Sequence, residues 1–375
     1  MIVAGAGPAG ALAAIVLARA GARVQMFDRD RFPRPKLCGD TLNPGALRVL
    51  AAHIPLDAIL ARGLPLDGMV LTGPGVAVVG TYGRGLQGRA ITRHTLDHIL
   101  LEEALRAGAE FADATKVAAP VLGAGGHVAG VVLQSPDGRR REQRAPLVIA
   151  ADGRESRLAR AMGLTYHPVR PRRWAIGGYF AGVTDLGSRG EMHVRAGHYI
   201  GVAPVPGGLA NACLVMPHRR GQAGWRDPAA ALDAALAADP RLAPRFAQAR
   251  LVAPPHVLGP MAVDARAAGF PGMLLAGDAA GFIDPITGDG LRLALAGAAI
   301  AAGVALEVLA GRSDPFHALA ELSSRRRAAF AAKWRFNRAV RLAVASSGAV
   351  TAAAVAARVL PRAFESVIRY AGDCE

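Results

Sequence analysis

Hydrophobic spacing changes along this chain in an order that implies an architecture. Ile2–Ala4 is a short apolar run entering Gly5-Ala6-Gly7-Pro8-Ala9-Gly10, and Pro8–Ala20 then carries Ala and Leu at helical spacing up to a stop at Gly21. Arg23–Phe27 predicts a second strand. Residues 30–45 are dense in Pro, Arg and Gly and predict a long irregular segment, which inside a compact domain is usually functional. Met69–Tyr82 predicts strands broken at Gly73-Pro74-Gly75, and Arg93–Ala107 an amphipathic helix with Leu96, Ile99, Leu100 and Leu105 towards one face. Val117–Leu133 reads as strand, Gly-rich turn, strand, and Leu147–Ala151 as a buried strand ending at Asp152-Gly153.

The second half changes character. Trp174–Val183, Glu191–Arg195, Tyr199–Val205 and Leu209–Met216 are short strands separated by Gly/Pro turns, the signature of an antiparallel sheet. Met273–Ala276 returns to a buried strand before Gly277-Asp278. From Leu291 the spacing is helical to the end, with breaks near Pro315 and Pro361. There is no internal repeat. The pattern predicts an α/β fold: a discontinuous Rossmann-type domain, an inserted antiparallel sheet and a helical C-terminal tail.

Composition narrows this picture only slightly. Hydrophobic residues make up 52% and charged ones 19% of the 375 residues, as in globular chains. The formal charge of +15 invites a nucleic-acid or anionic-membrane reading. Only Lys36, Lys116 and Lys333 are lysine, however, and the arginine excess accompanies abundant Ala and Gly, which reads as a GC-rich coding bias. No zinc-finger spacing or aromatic-basic repeat supports a nucleic-acid partner. Cys38, Cys213 and Cys374 stand far apart, so neither a disulfide framework nor a metal site is expected. With no signal-peptide pattern at Met1, a cytoplasmic location is expected. The apolar runs Leu293–Leu306 and Leu342–Ala357 look short of the ~20 residues that span a bilayer.

The opening glycines fit G-x-G-x-x-G between a strand and a helix, the turn that brings a pyrophosphate against backbone amides at a helix N-terminus. Asp28 ends the second strand about 20 residues on, where a ribose-binding acid is expected. This unit does not separate NAD from FAD.

Four later segments point further. Arg31-Phe32-Pro33-Arg34-Pro35-Lys36-Leu37-Cys38-Gly39-Asp40 resembles the "RFPRxKxCG" signature of the geranylgeranyl reductase-like flavoproteins, within the para-hydroxybenzoate hydroxylase fold. Arg93 and Asp97 resemble the family's R-x-x-x-D helix start. Ala151-Asp152-Gly153-Arg154-Glu155-Ser156 resembles its Asp-Gly motif, and Gly277-Asp278 through Gly288-Asp289-Gly290 its Gly-Asp motif and flavin loop. The resemblance runs from Met1 to about Gly311.

It implies FAD as cofactor, held by Gly5, Gly7, Pro8, Ala9, Gly10, Asp28, Arg29, Cys38, Gly39, Arg93, Asp152, Gly153, Gly277, Asp278, Pro285, Gly288, Asp289 and Gly290. Asp278 would accept bonds from ribityl or ribose hydroxyls, and the helix from Leu291 would point its N-terminus at flavin N1 and O2. Cys38, on the loop beside the isoalloxazine, and Tyr199 are the expected catalytic residues; Asp40, His94 and His193 are further acid–base candidates. The implied boundaries give the FAD domain residues 1–66, 88–165 and 259–311, a substrate domain 67–87 and 166–258, and a helical region 312–375.

The resemblance has departures. Where the family carries an aromatic-rich strand, this chain has Tyr199-Ile200-Gly201-Val202-Ala203-Pro204, so two rings are missing and a wider pocket is expected. No lysine lies between Lys36 and Lys116, which speaks against a halogenase. The implied activity is hydride transfer between flavin and a small, largely apolar, lipid- or polyketide-like molecule, with NAD(P)H as a transient donor. The alternatives are a hydroxylase using NAD(P)H and O2, and a non-catalytic electron carrier. The basic, aromatic stretch Arg325–Arg341 is compatible with a membrane-surface helix or with a packed tail. Oligomeric state is left open.

Overall fold

A computed structural model describes residues 1–83, 85–169, 172–217 and 226–374. Five very short segments build its first sheet, and the three central ones, Ile2–Ala4, Val148–Ala150 and Met273–Leu275, are wholly apolar because they are buried on both faces and need no alternation. Ile2–Ala4 lies parallel to both Gln25–Phe27 and Val148–Ala150, in register Ile2↔Gln25 and Ile2↔Val148. Met273–Leu275 adds parallel to Val148–Ala150, and Glu110–Ala112 extends the other edge. Gly269–Phe270 closes the first edge antiparallel, completing six strands.

Three helices cover one face: Pro8–Arg19, Arg93–Arg106 and Gly290–Leu309. Their Leu12, Ile15, Leu100, Leu295 and Ala298 are wholly buried in one apolar cluster. The other face carries the antiparallel sheet Lys116–Leu122, Val128–Gln134 and Arg140–Arg144. Gly290–Leu309, at 20 residues and mean hydropathy 1.8, is longer than its expected apolar run and meets the length and composition of a membrane span. Here it is a core helix, packed between Pro8–Arg19 and the tail helix Pro315–Val344.

The second large sheet has eight strands, seven in its main path and one, His256–Leu258, paired off it to Arg173–Ala181. Its centre is Arg173–Ala181, Leu209–Pro217, His198–Val205 and Arg189–Arg195, all antiparallel neighbours. Gly68–Gly73 and Val76–Thr81, from far earlier in the chain, extend it beyond Arg189–Arg195. The tail is four-part: Gly290–Leu309 is followed by Pro315–Val344, Ser347–Val359 and Pro361–Ala371, with an additional break at Ser346, whose hydroxyl caps the third helix. Pro361–Ala371 packs on Val76–Thr81, where a side chain at Gly80 would meet Ile368 at 2.7 Å.

Candidate functional site

The glycine turn is shaped by close approaches. Gly5 has φ +95°, and a Cβ there would lie 2.5 Å from the Ala151 carbonyl oxygen. A Cβ on Gly10 would collide with the Gly5 carbonyl, so helix and strand can touch only because both residues lack one. Gly7 differs: its Cβ would meet no backbone, only the guanidinium tips of Arg34 and Arg93 at 3.5 and 3.8 Å. Gly7 is also the uncapped start of Pro8–Arg19, leaving that helix's first amides open. Asp28 accepts from the amides of Ala6 and Asp30 at 2.8 and 3.0 Å, fixing the end of its strand beside the turn. Arg29 is exposed and lies beside Asp30.

Around Gly7 gathers a wall of cations. Arg93 grips Asp97 with Nε and Nη2 at 2.6 and 2.8 Å, and Arg34 lies 3.2 Å from the same carboxylate. Buried Arg34 keeps Nε and Nη1 without a hydrogen-bond partner. Burial lowers the Lys36 amine to about 8, helped by Arg154, Arg34 and Arg93. Burial raises the Asp278 carboxyl against the pull of Arg154, Arg93 and Lys36. Four cations thus line one cleft beside Asp97 and Asp278, with Asp30 3.6 Å from Arg34 and Glu155 near Arg154, and such a cluster of cations suits a pyrophosphate. The open Gly7 and the Arg34 guanidinium, whose Nε and Nη1 are ion-paired but make no hydrogen bond, fit the phosphates of FAD, and Asp278 fits a hydroxyl. Arg34, Lys36 and Arg154 were not among the expected contacts; the alternation of basic residues at 34 and 36 was the available signal.

Asp152 turns elsewhere. Its Oδ2 accepts the Arg157 amide at 2.9 Å, so the carboxylate caps the short helix Arg157–Ala161, while Gly153 at φ +83° leaves open space beside it. On the Gly-Asp loop, a Cβ on Gly277 would stand 2.7 Å from Ala9 Cβ, which brings this loop against the opening turn. Gly288 is left-handed at φ +66°, and Gly290–Leu309 begins with no side-chain cap. Asp289 departs from its expected place at the cofactor. Its side chain is wholly buried, 3.3 Å from Asn43 Nδ2 and 3.9 Å from Lys333 Nζ, and burial pushes its carboxyl up to about 6 against Lys333 and Arg292.

The loop through Cys38 is clamped to the eight-stranded sheet. Asp40, at φ +53° and wholly buried, accepts from the Arg93 amide (3.1 Å), Tyr179 Oη (2.6 Å) and Asn211 Nδ2 (2.8 Å). Asn211 also donates to the Cys38 carbonyl at 2.9 Å. Burial lifts the Asp40 carboxyl to about 6, opposed by Tyr179, Asn211 and Arg93. Burial likewise raises the Cys38 thiol despite Arg93 nearby. Beneath the loop, one row crosses the sheet through Gly177, Cys213, Gly201 and Met192. A Cβ on Gly177 would strike Leu37 Cδ1 at 2.5 Å, whereas one on Gly201 would meet nothing nearer than Met192 Cε at 3.8 Å. The missing tryptophan therefore leaves room.

Tyr199 lies apart from Cys38's clamp. It is 1% exposed, its Oη donates to Asp284 at 2.5 Å, and Arg173 holds the other Asp284 oxygen at 2.9 Å. Arg173 also donates to the Arg341 carbonyl, so sheet, flavin loop and tail helix meet at one carboxylate. With its hydroxyl committed there, Tyr199 is a positioning residue, and the expectation that it acts on substrate is corrected. Pro285 follows as the first residue of the turn Pro285–Thr287. His193 is buried between Thr72 and Glu191, with Arg245 on the same carboxylate, and His94 is exposed at a helix start. Neither histidine is joined to the Cys38 clamp by a hydrogen bond among the described residues.

Comparison with known proteins follows the same lines. Residues 1–336 match a family model described as an FAD binding domain. A menaquinone reductase of Mycolicibacterium smegmatis is 35% identical over 189 residues, 48% of this chain and 44% of its own length, so the chain matches under half of that relative. Digeranylgeranylglycerophospholipid reductase 2 of Methanopyrus kandleri is 30% identical over 327 residues, covering 82% of this chain and 77% of that one. Among solved structures, a geranylgeranyl bacteriochlorophyll reductase-like protein of Thermoplasma acidophilum superposes with TM-score 0.78 at 23% identity, over 93% of this chain and 88% of that chain. At that identity the likeness concerns the fold.

Proposed function

The chain belongs to the FAD binding domain family and its geranylgeranyl reductase-like members and is an FAD-dependent oxidoreductase; on that footing, we propose that it reduces a small, largely apolar, lipid-like molecule, with NAD(P)H as the soluble donor. The observation that carries this reading is the row Gly177, Cys213, Gly201 and Met192 beneath the Cys38 loop. It presents small and soft side chains with no ring, and Leu71 continues it beside Met192. The polar groups nearby, Tyr179 and Asn211, are spent on Asp40. A slim apolar chain suits such a trough.

FAD, when bound, supplies hydride transfer. The chain's own residues supply placement and a proton. Arg34, Lys36, Arg93 and Arg154 hold the phosphates, and Asp278 a hydroxyl. Cys38, whose raised thiol stays protonated at neutral pH, would give its Sγ proton to the carbon next to the one that takes the hydride, and the thiolate left behind would be reprotonated from solvent. Asp40 positions that thiol through Asn211 and the loop backbone.

Anaerobic incubation of the FAD-loaded, chemically reduced protein with unsaturated prenyl lipids and prenyl quinones tests this reading. A hydrogenated product by mass spectrometry is expected. An oxygen-containing product formed only in air would replace the reading with a hydroxylase.

A pH profile follows from Asp40. Its ionised form accepts three bonds, so protonation below about 6 weakens the clamp. Turnover is expected to fall as pH drops through about 6, and Asp40→Asn to flatten that limb. Because the folded pKa lies above the unfolded ~3.9, the same group makes stability decline as pH rises from that value through about 6 and level off above it. An unaltered acid limb in Asp40→Asn would remove Asp40 from the positioning role.

The proposal includes a cytoplasmic protein that touches an anionic bilayer through its tail. In place of Arg325–Arg341, whose Arg326, Phe330, Lys333 and Arg341 are buried, the exposed apolar residues are Leu342, Val355, Val359 and Leu360, near exposed Arg358 and Arg362. Vesicles of phosphatidylglycerol are expected to co-sediment the protein, and Val359→Glu with Leu360→Glu to release it. Equal sedimentation of both proteins would refute this surface.

A further inference from the structure

The helix Pro315–Val344 buries a polar stripe against the back of the Gly-Asp loop. Arg341 sits 3.9 Å from Asp284 and Lys333 3.9 Å from Asp289, each cation opposite a carboxylate. Arg326 breaks the pattern. Its Nη2 donates to the Ala280 carbonyl at 2.9 Å and its guanidinium lies 5.8 Å from the Trp334 ring centre. Only burial acts on its charge, lowering it to about 10, and no carboxylate among the described residues compensates. Arg326 is 8% exposed and its Nη1 has no hydrogen-bond partner. Burying an unpaired cation is costly, so a side chain placed this way calls for an anion.

Arg326 lines a cavity of about 210 Å³ between that loop and the tail helix. Trp334, Phe330, Tyr166 and Phe282 supply aromatic walls, and Asn337 completes the lining. Asn337 is a second and independent sign of a ligand: it is 2% exposed and its Oδ1 also has no partner. The cavity shares Gly277, Asp278 and Gly290 with the loop assigned to the cofactor, but none of the phosphate-facing Arg34, Lys36, Arg93 or Arg154 lines it, so it lies on the tail-helix side of that loop. The loop from Gly277 to Asp284 is the wall between them. Three carboxylates also line it, and each is countered: Asp264 by Arg338 at 3.2 Å, Asp284 by Arg173 at 2.9 Å and Asp278 by Arg154, Arg93 and Lys36, which leaves Arg326 as the lining charge without an ion-pair partner among the described residues.

We propose that this cavity is a second ligand site, taking a small oxyanion carried on a flat apolar group. The oxyanion bonds Arg326 Nη1, the ring stacks among Trp334, Phe330 and Tyr166, and a donor on the ligand satisfies Asn337 Oδ1. Because Arg326 also holds the Ala280 carbonyl, two residues from Asp278, occupancy is transmitted to the loop that holds the cofactor. The site therefore acts as an effector site, and it depends on no particular substrate at the trough.

Calorimetric titration of the FAD-loaded protein with benzoate, inorganic phosphate and benzyl alcohol tests it, with the flavin spectrum recorded in parallel. Benzoate is expected to bind saturably and perturb the spectrum, phosphate to bind more weakly, and benzyl alcohol not to bind. Arg326→Met is expected to weaken benzoate about tenfold or more, as loss of a charge-assisted bond implies. If that variant loses its flavin, Asn337→Asp serves instead: it keeps the shape, adds a like charge and should exclude the anion. No saturable benzoate binding overturns the proposal. So does benzyl alcohol binding as tightly as benzoate, or benzoate affinity unchanged in the variant that retains flavin.

Discussion

Gly7→Asp is expected to yield a folded but colourless protein. A Cβ at this position meets only the guanidinium tips of Arg34 and Arg93, at 3.5 and 3.8 Å, and φ at Gly7 is −69°, which any residue adopts. An aspartate there pairs with the two arginines and leaves the native fold intact or slightly stabilised. It also occupies the place of the cofactor phosphates and repels them. Like charges forced together cost several kcal/mol, about a thousandfold or more in affinity. Fluorescence titration with FAD reads the affinity, and circular dichroism reads the fold. A yellow purified variant would refute the assignment of this turn. Gly10→Ala serves as the contrast: its Cβ would collide with the Gly5 carbonyl, so it should lose fold and flavin together.

The second large effect is expected at Asp284. This wholly buried carboxylate gathers Tyr199 Oη, Arg173 Nη1 and the Ile286 amide. Asp284→Ala leaves Arg173 buried and uncompensated, a loss of about 3–5 kcal/mol. Tyr199→Phe removes one bond to a charged group and should cost about 1.5–3 kcal/mol. Arg173→Met combined with Asp284→Ala should be milder than Asp284→Ala alone, because the stranded charge is gone. Denaturant midpoints rank the three proteins. Equal loss in the single and double variants would show that lost packing, not an unpaired charge, sets the effect.

The same cluster explains why Tyr199 misleads as a catalytic candidate. In sequence it is the surviving aromatic of a substrate-domain strand, 85 positions from Asp284; in space that aspartate takes its hydroxyl at 2.5 Å. Asp289 misleads similarly, since it lies in the motif expected at the cofactor while its side chain turns to Asn43 and Lys333. The reverse also holds. Tyr179 and Asn211 carry no local signal, yet they meet Asp40 across separations of 139 and 171 residues. The basic stretch Arg325–Arg341 is open from sequence to a membrane-surface helix or a packed tail, and the structure buries Arg326, Lys333 and Arg341 in a packed helix.

What the amino-acid order determined by itself was everything governed by local backbone demands. Gly5 and Gly10 had to lack side chains for a turn to sit against a strand, and Gly288 had to accept a left-handed φ before a helix start. Such constraints act within a few residues, so spacing reveals them, while the cofactor and the family follow from the resemblance of the later motifs. Tertiary structure alone decided which charges are paired. Four cations from residues 34, 36, 93 and 154 converge on one cleft, and Arg326 ends beside another cavity with no ion-pair partner among the described residues. The reason is electrostatic: the state and use of a buried charge depend on whatever lies within a few ångströms, and those neighbours come from distant segments joined only when the sheets and the tail helix pack.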